Sequence, residues 1–240
     1  MSNISKKDEQ NRVECVSEGK RTFLKLGAAG LAALALSHTT ATVAIGADNK
    51  FASIPVAAQI GAIDLGSGDV GVLNYAYALE QLEAEFYTRV TASFYSGATA
   101  AEKQILTDIR DHEIIHREFF RAALGASAIP TLAFDFSKVN FNSRASVLTT
   151  AQIFEDTGVA AYNGAGQLLV NTEYLALAGK IVSVEARHAS AIRDLRLPRT
   201  GFFAPDPADP ALDPETVLTI TSPFLQTPLS AANLPLITAV

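Results

Sequence analysis

The sequence predicts an all-α four-helix bundle with a long crossover between helices two and three, followed by a proline-rich tail. Three observations carry this. Four long stretches between residues 69 and 197 place apolar side chains at steps of three and four, the period of one helix face. A connection from Gly125 to Ser143, with Pro130 and no helical period, separates the second stretch from the third. Eight of the ten prolines then fall in residues 198–240, so no fifth long helix forms there.

The 240 residues are 48% hydrophobic and 18% charged, which suits a globular chain with a sizeable core and excludes a disordered one. A net charge of −6, with no basic patch beyond the first quarter of the chain, argues against nucleic-acid binding. Cys15 is the sole cysteine, so no internal disulfide and no thiolate metal site can form.

Residues 1–47 read as an export signal rather than as part of the fold. A polar lead ends in Lys20-Arg21, and Leu26 to Leu36 is a mildly apolar run too short to span a bilayer. The string Lys20-Arg21-Thr22-Phe23-Leu24-Lys25 resembles a twin-arginine signal in which a lysine replaces the first arginine. Cleavage is expected after Ala44, Gly46 or Ala47, which implies a periplasmic or extracellular protein with no membrane span in its mature form. The segment holds six basic and four acidic residues, so its removal takes the charge from −6 to −8 and discards Cys15 and His38.

Residues 48–68 form a mixed, glycine-containing lead-in. The first helix is expected from Asp69, as N-cap, to about Thr91; its inward face is interrupted by Glu80, with Glu83 one turn on as the alternative. Ser96-Gly97 marks a turn, and Thr99 caps a second helix from Ala100 to Leu124 closed by Gly125. The crossover of about 19 residues can reach roughly 60 Å, more than the roughly 36 Å of a 24-residue helix, so it can return the chain to the starting end. The third helix is expected over Arg144 to Val170 with Glu155 inward, and the fourth from Asn171-Thr172 to about Leu195. The tail, 198–240, carries Phe202, Phe203, Leu212, Leu218, Phe224 and Leu225 to pack on the bundle, and Asp213-Pro214-Glu215 opens a short helical turn.

The candidate chemistry lies in two repeats of one pattern. Ile109, Glu113, His116, Phe120 and Ala123 share one face of the second helix; Ile181, Glu185, His188, Ile192 and Leu195 share one face of the fourth. A glutamate and a histidine three residues apart sit one turn apart and can grip one ion, whereas a carboxylate left unpaired in an apolar stripe would be costly. With Glu80 and Glu155 from the other helices, the six residues supply the ligands of a dinuclear carboxylate site for two Fe or Mn ions, open to O₂ or peroxide. Chance pairs on solvent-facing helix surface are the competing reading, and it does not account for the shared burial phase. His112 reads as a boundary residue beside the ligand face, Asp111 and Asp194 as surface charges, and Tyr75, Tyr77 and Tyr162 as core aromatics.

Three segments, LNYAYALEQLEAEFY, EDTGVAAYNGAG and VEARHASAIR, resemble the ferritin-like superfamily over about Asp69 to Leu197, and within it the exported ferritin-like domain proteins related to desiccation-related proteins. The resemblance implies a ferritin-like bundle in which a ligand glutamate stands seven residues before a tyrosine that hydrogen-bonds within the site, which selects Glu80 and Tyr87. It also implies metal ions with O₂ or peroxide as partners, without carrying over iron storage. Three functions are compatible: an exported Fe or Mn oxidase that oxidises Fe²⁺ or consumes peroxide, a stress or desiccation-related protein with a structural metal pair, and an interaction module without metal. Assembly with further copies of the chain is left open.

Overall fold

A computed structural model describes residues 61–235, so the export-signal reading and the first part of the lead-in lie outside the described residues. The elements run β1 (Ile63–Asp64), α1 (Gly68–Ala92), α2 (Ala100–Leu124), α3 (Arg144–Ala165), α4 (Thr172–Arg196), α5 (Pro214–Thr221) and β2 (Leu229–Ser230). The four long helices make the ferritin-like bundle, α1 packing chiefly on α2 and α3 on α4. No helix among the described residues is long and apolar enough to cross a membrane.

Each helix start follows from local chemistry. At α2, Thr99 accepts a hydrogen bond from the Glu102 N–H at 3.2 Å while Glu102 accepts one from the Thr99 N–H at 2.7 Å, a reciprocal pair that satisfies two otherwise open donors. Arg144, the first residue of α3, then donates to Glu102 at 2.6 Å and to the Leu195 carbonyl at 2.6 Å. One guanidinium thus joins three helix ends. Asn171 caps α4, and Asp213 caps α5 ahead of Pro214.

Two expected boundaries differ. Ser67 takes the cap position of α1, without a side-chain bond, and Asp69 lies in the first turn. Its carboxylate accepts instead from the N–H groups of Val170 and Asn171, at 2.8 and 2.9 Å, so it anchors the α3–α4 connection. Helix α3 stops at Ala165 rather than Val170, because a single 3₁₀ turn over Gly166–Leu168 redirects the chain into α4; Val170 is 86% exposed.

The crossover runs against α1, and it explains why α1 is buried at nearly every position from Gly71 to Tyr87. Asn74 donates to the carbonyls of Leu65 and Ser127 and accepts from the Ile129 N–H at 2.9 Å. Gln81, two turns later, accepts from the Leu132 N–H at 2.9 Å. Polar groups inside α1 therefore satisfy backbone groups of the connection at Ser127, Ile129 and Leu132. Phe136 of the crossover joins Phe86, Phe141, Phe154 and Phe224 in one aromatic cluster.

The tail folds back on this layer. Phe134 bridges Leu225, Val217 is fully buried, and the Leu212 N–H donates to the Ala160 carbonyl at 3.0 Å. Gly164 permits that approach, since a Cβ there would collide with the Leu212 backbone. Phe203 is the exception to the expected packing, at 52% exposed. The lead-in also holds an element that the sequence reading leaves unassigned: β1 pairs in parallel with β2, Ile63 opposite Leu229.

Candidate metal centre

Six side chains from the four long helices meet midway along the bundle. Glu80, Glu113, Glu155 and Glu185 are 0% exposed, with His116 at 6% and His188 at 5%. They form two overlapping groups, each able to hold a metal ion: Glu80, Glu113, His116 and Glu185; and Glu113, Glu155, Glu185 and His188. Within each group the ligand atoms all lie within 4.8 Å of one another. Glu113 and Glu185 belong to both.

The atoms divide cleanly between the groups. His116 Nδ1 lies 3.4 Å from Glu80 Oε2, 3.6 Å from Glu113 Oε2 and 2.9 Å from Glu185 Oε1. His188 Nδ1 lies 2.8 Å from Glu113 Oε1, 3.5 Å from Glu155 Oε2 and 3.4 Å from Glu185 Oε2. Each shared glutamate thus turns one oxygen to each histidine. Seven buried atoms here lack a hydrogen-bond partner: both oxygens of Glu113 and of Glu185, Oε2 of Glu80, Oε2 of Glu155, and Nδ1 of His188. Orphaned acceptors are costly inside a protein, and so many facing one point fit a cation.

The remaining oxygens of Glu80 and Glu155 are held by tyrosines. Tyr87 donates to Glu155 Oε1 at 2.5 Å, and Tyr162 donates to Glu80 Oε1. Tyr87 therefore does hydrogen-bond within the cluster, but across the bundle rather than to the glutamate seven residues before it. Tyr162, expected as a core aromatic, has the matching role. The signal was present, because Tyr162 follows Glu155 by the same seven residues that separate Tyr87 from Glu80. Each tyrosine fixes one oxygen and leaves the other aimed inward.

Other weighed residues fall outside the cluster. Glu83 is buried but belongs to neither group; it lies against α3 where Gly158 has no side chain, and a Cβ at 158 would be 3.2 Å from its Oε1. Asp111 pairs with Arg110, and Asp194 accepts from the Arg199 N–H, so neither is seen on a cluster imidazole. His112 does meet one: its Nδ1 lies 2.8 Å from His188 Nε2.

Burial pushes the Glu80 and Glu155 carboxyls up to about 8, against the pull of His116 and His188 respectively. Burial also opposes ionisation of Glu113 and Glu185, but the two adjacent imidazoles hold both below the ordinary carboxylate range. Burial opposes charging of the imidazoles too, yet the surrounding carboxylates raise both well above the usual histidine value. The cluster attracts positive charge strongly enough to overcome its own desolvation.

A helical bundle with a buried carboxylate–histidine cluster at its centre is an arrangement that can hold metal ions. The ferritin-like domain family matches residues 68–197, and the chain belongs to that family. No curated protein matches the chain.

Proposed function

We propose that this chain is an exported ferritin-like protein that holds two iron or manganese ions through Glu80, Glu113, His116, Glu155, Glu185 and His188, and uses them to oxidise Fe²⁺ or to consume O₂ or peroxide. The observation that carries the reading is the convergence of six buried carboxylate oxygens on two histidines, three on each. Carboxylate oxygen with imidazole suits these metals, which supply one-electron redox chemistry toward O₂ and peroxide when bound. The protein's own part is positional. Tyr87 and Tyr162 lock the terminal glutamates, and leucine, phenylalanine and alanine layers keep bulk water from the carboxylates. The Lys20 to Lys25 string supports export to the periplasm or beyond.

A structural reading has one observation in its favour: Glu83 adds a fifth buried carboxylate to the four in the cluster, and a metal pair would offset their mutual repulsion whether or not it turned over. Metal analysis of protein recovered from the exported fraction, followed by O₂ and H₂O₂ consumption with added Fe²⁺, separates the cases. Two ions per chain with turnover supports the oxidase. Two ions without turnover supports the stress or desiccation-related role, and protein that takes up neither metal overturns both.

A further inference from the structure

The two halves of the cluster match residue for residue except immediately outside the ligands. The residue before Glu113 is His112; the residue before Glu185, at the corresponding place on α4, is Val184. His112 is exposed, yet its ring lies nearly parallel to that of His188, at 17° with centroids 5.1 Å apart, and the Nδ1 to Nε2 distance is 2.8 Å. An imidazole that gives Nδ1 to a metal carries its proton on Nε2, so His188 as a ligand donates outward and His112 Nδ1 accepts. Val184 has no acceptor to offer in return. Hydrogen bonds of this kind fix the ring rotation and the tautomer of a metal-binding histidine, and their loss typically weakens the metal about 10- to 100-fold.

We propose that His112 is a positioning residue for His188, so that the Glu155–His188 position depends on an imidazole at the protein surface. The inference rests on the two-metal reading above. It predicts that the two ions become separable when one exposed side chain that is not itself a ligand is changed.

Full-length protein, metal-free and titrated with Co²⁺ under anaerobic conditions, provides the test, with ligand-field bands and calorimetry as readouts. Wild type takes up two ions. His112→Ala keeps one at wild-type affinity and binds the other about 10- to 100-fold more weakly, with its share of the visible bands altered. His112→Asn, whose side-chain carbonyl restores an acceptor, recovers most of the lost affinity, and Val184→Ala leaves both ions unchanged. Equal melting temperatures of the metal-free variants show that the fold is intact. Two ions bound to His112→Ala at wild-type affinities, or both weakened equally, overturn the inference while leaving the two-metal reading in place. A wild-type chain that binds no Co²⁺ overturns the metal reading and this inference with it.

Discussion

The α1–α2 hairpin and the α3–α4 hairpin carry the same functional alphabet in different surroundings. Glu80, Tyr87, Glu113 and His116 on one correspond to Glu155, Tyr162, Glu185 and His188 on the other, and the tyrosine bonds cross between them. The settings diverge. Helix α1 is wrapped by the crossover and is buried almost throughout, whereas α4 leaves residues such as Leu175 substantially exposed. Glu83 on α1 stands where α3 has Gly158, and His112 on α2 where α4 has Val184. The atoms that face the centre of the cluster are matched between the halves, while residues just outside it differ.

The largest effect should come from removing what the halves share. Glu113→Ala deletes an oxygen from both groups at once, so affinity at both positions should fall by more than the roughly 100-fold upper range of an outer-partner loss, as read by metal analysis after dialysis. Retention of even one ion at wild-type affinity would show that the halves are independent.

Next come the crossed tyrosines. Tyr87→Phe strips the donor from Glu155 Oε1, and Tyr162→Phe strips it from Glu80 Oε1; each leaves a buried acceptor open at a cost of about 1–3 kcal/mol. Chemical denaturation of metal-free protein should give similar losses for the two, and a much smaller loss for one would mean that its hydrogen bond is dispensable.

The halves should respond together to pH. Glu80 and Glu155, raised from 4.5 to about 8, bind protons more tightly in the fold than in the unfolded chain, and both histidines are likewise raised above 6.5. Their contribution is complete below the unfolded values and is lost as pH rises, so metal-free protein should melt progressively lower from about pH 4.5 through about 8 as the two glutamates titrate, with the histidines adding to the loss above 6.5. Glu113 and Glu185, held low, do not titrate in that window. Metal must displace the same protons, so metal affinity should climb over the range and protons should be released on loading, measurable by calorimetry in two buffers. Melting that is flat with pH in the metal-free state would contradict this.

The smallest effects test the asymmetry itself. Burial, reinforced by Glu113 and Glu155, raises Glu83 well above its ordinary range, so Glu83→Gln should lessen the alkaline loss of metal-free stability without lowering the number of ions bound. Gly158→Ala should move stability by no more than about 1 kcal/mol, because alanine's better helix propensity works against the few tenths of an ångström that Glu83 has to yield. An ion lost in Glu83→Gln would place Glu83 among the ligands.

What the sequence disclosed tracks the range of the interaction responsible. The fold and the six clustered residues were legible because each glutamate and histidine breaks an apolar stripe within its own helix, a signal a few residues wide. The bond from Tyr162 to Glu80 spans 82 residues, and that from Asp69 to Asn171 spans 102, so neither leaves a local mark. Asp69 looked like a cap because an aspartate before an apolar run usually is one. His112 was legible only as a neighbour of the ligand face; its meeting with His188 depends on how two helices lie side by side.

The short parallel ladder between β1 and β2 has an engineering corollary. It sets residue 63 beside residue 229, so the two ends of the described unit leave from one edge. A circular permutant could therefore join those ends through a brief linker and open new termini at the exposed Ser96-Gly97 turn, with all four ligand-bearing helices uncut. Such a rewired chain would begin with the α2 half of the cluster and finish with α1.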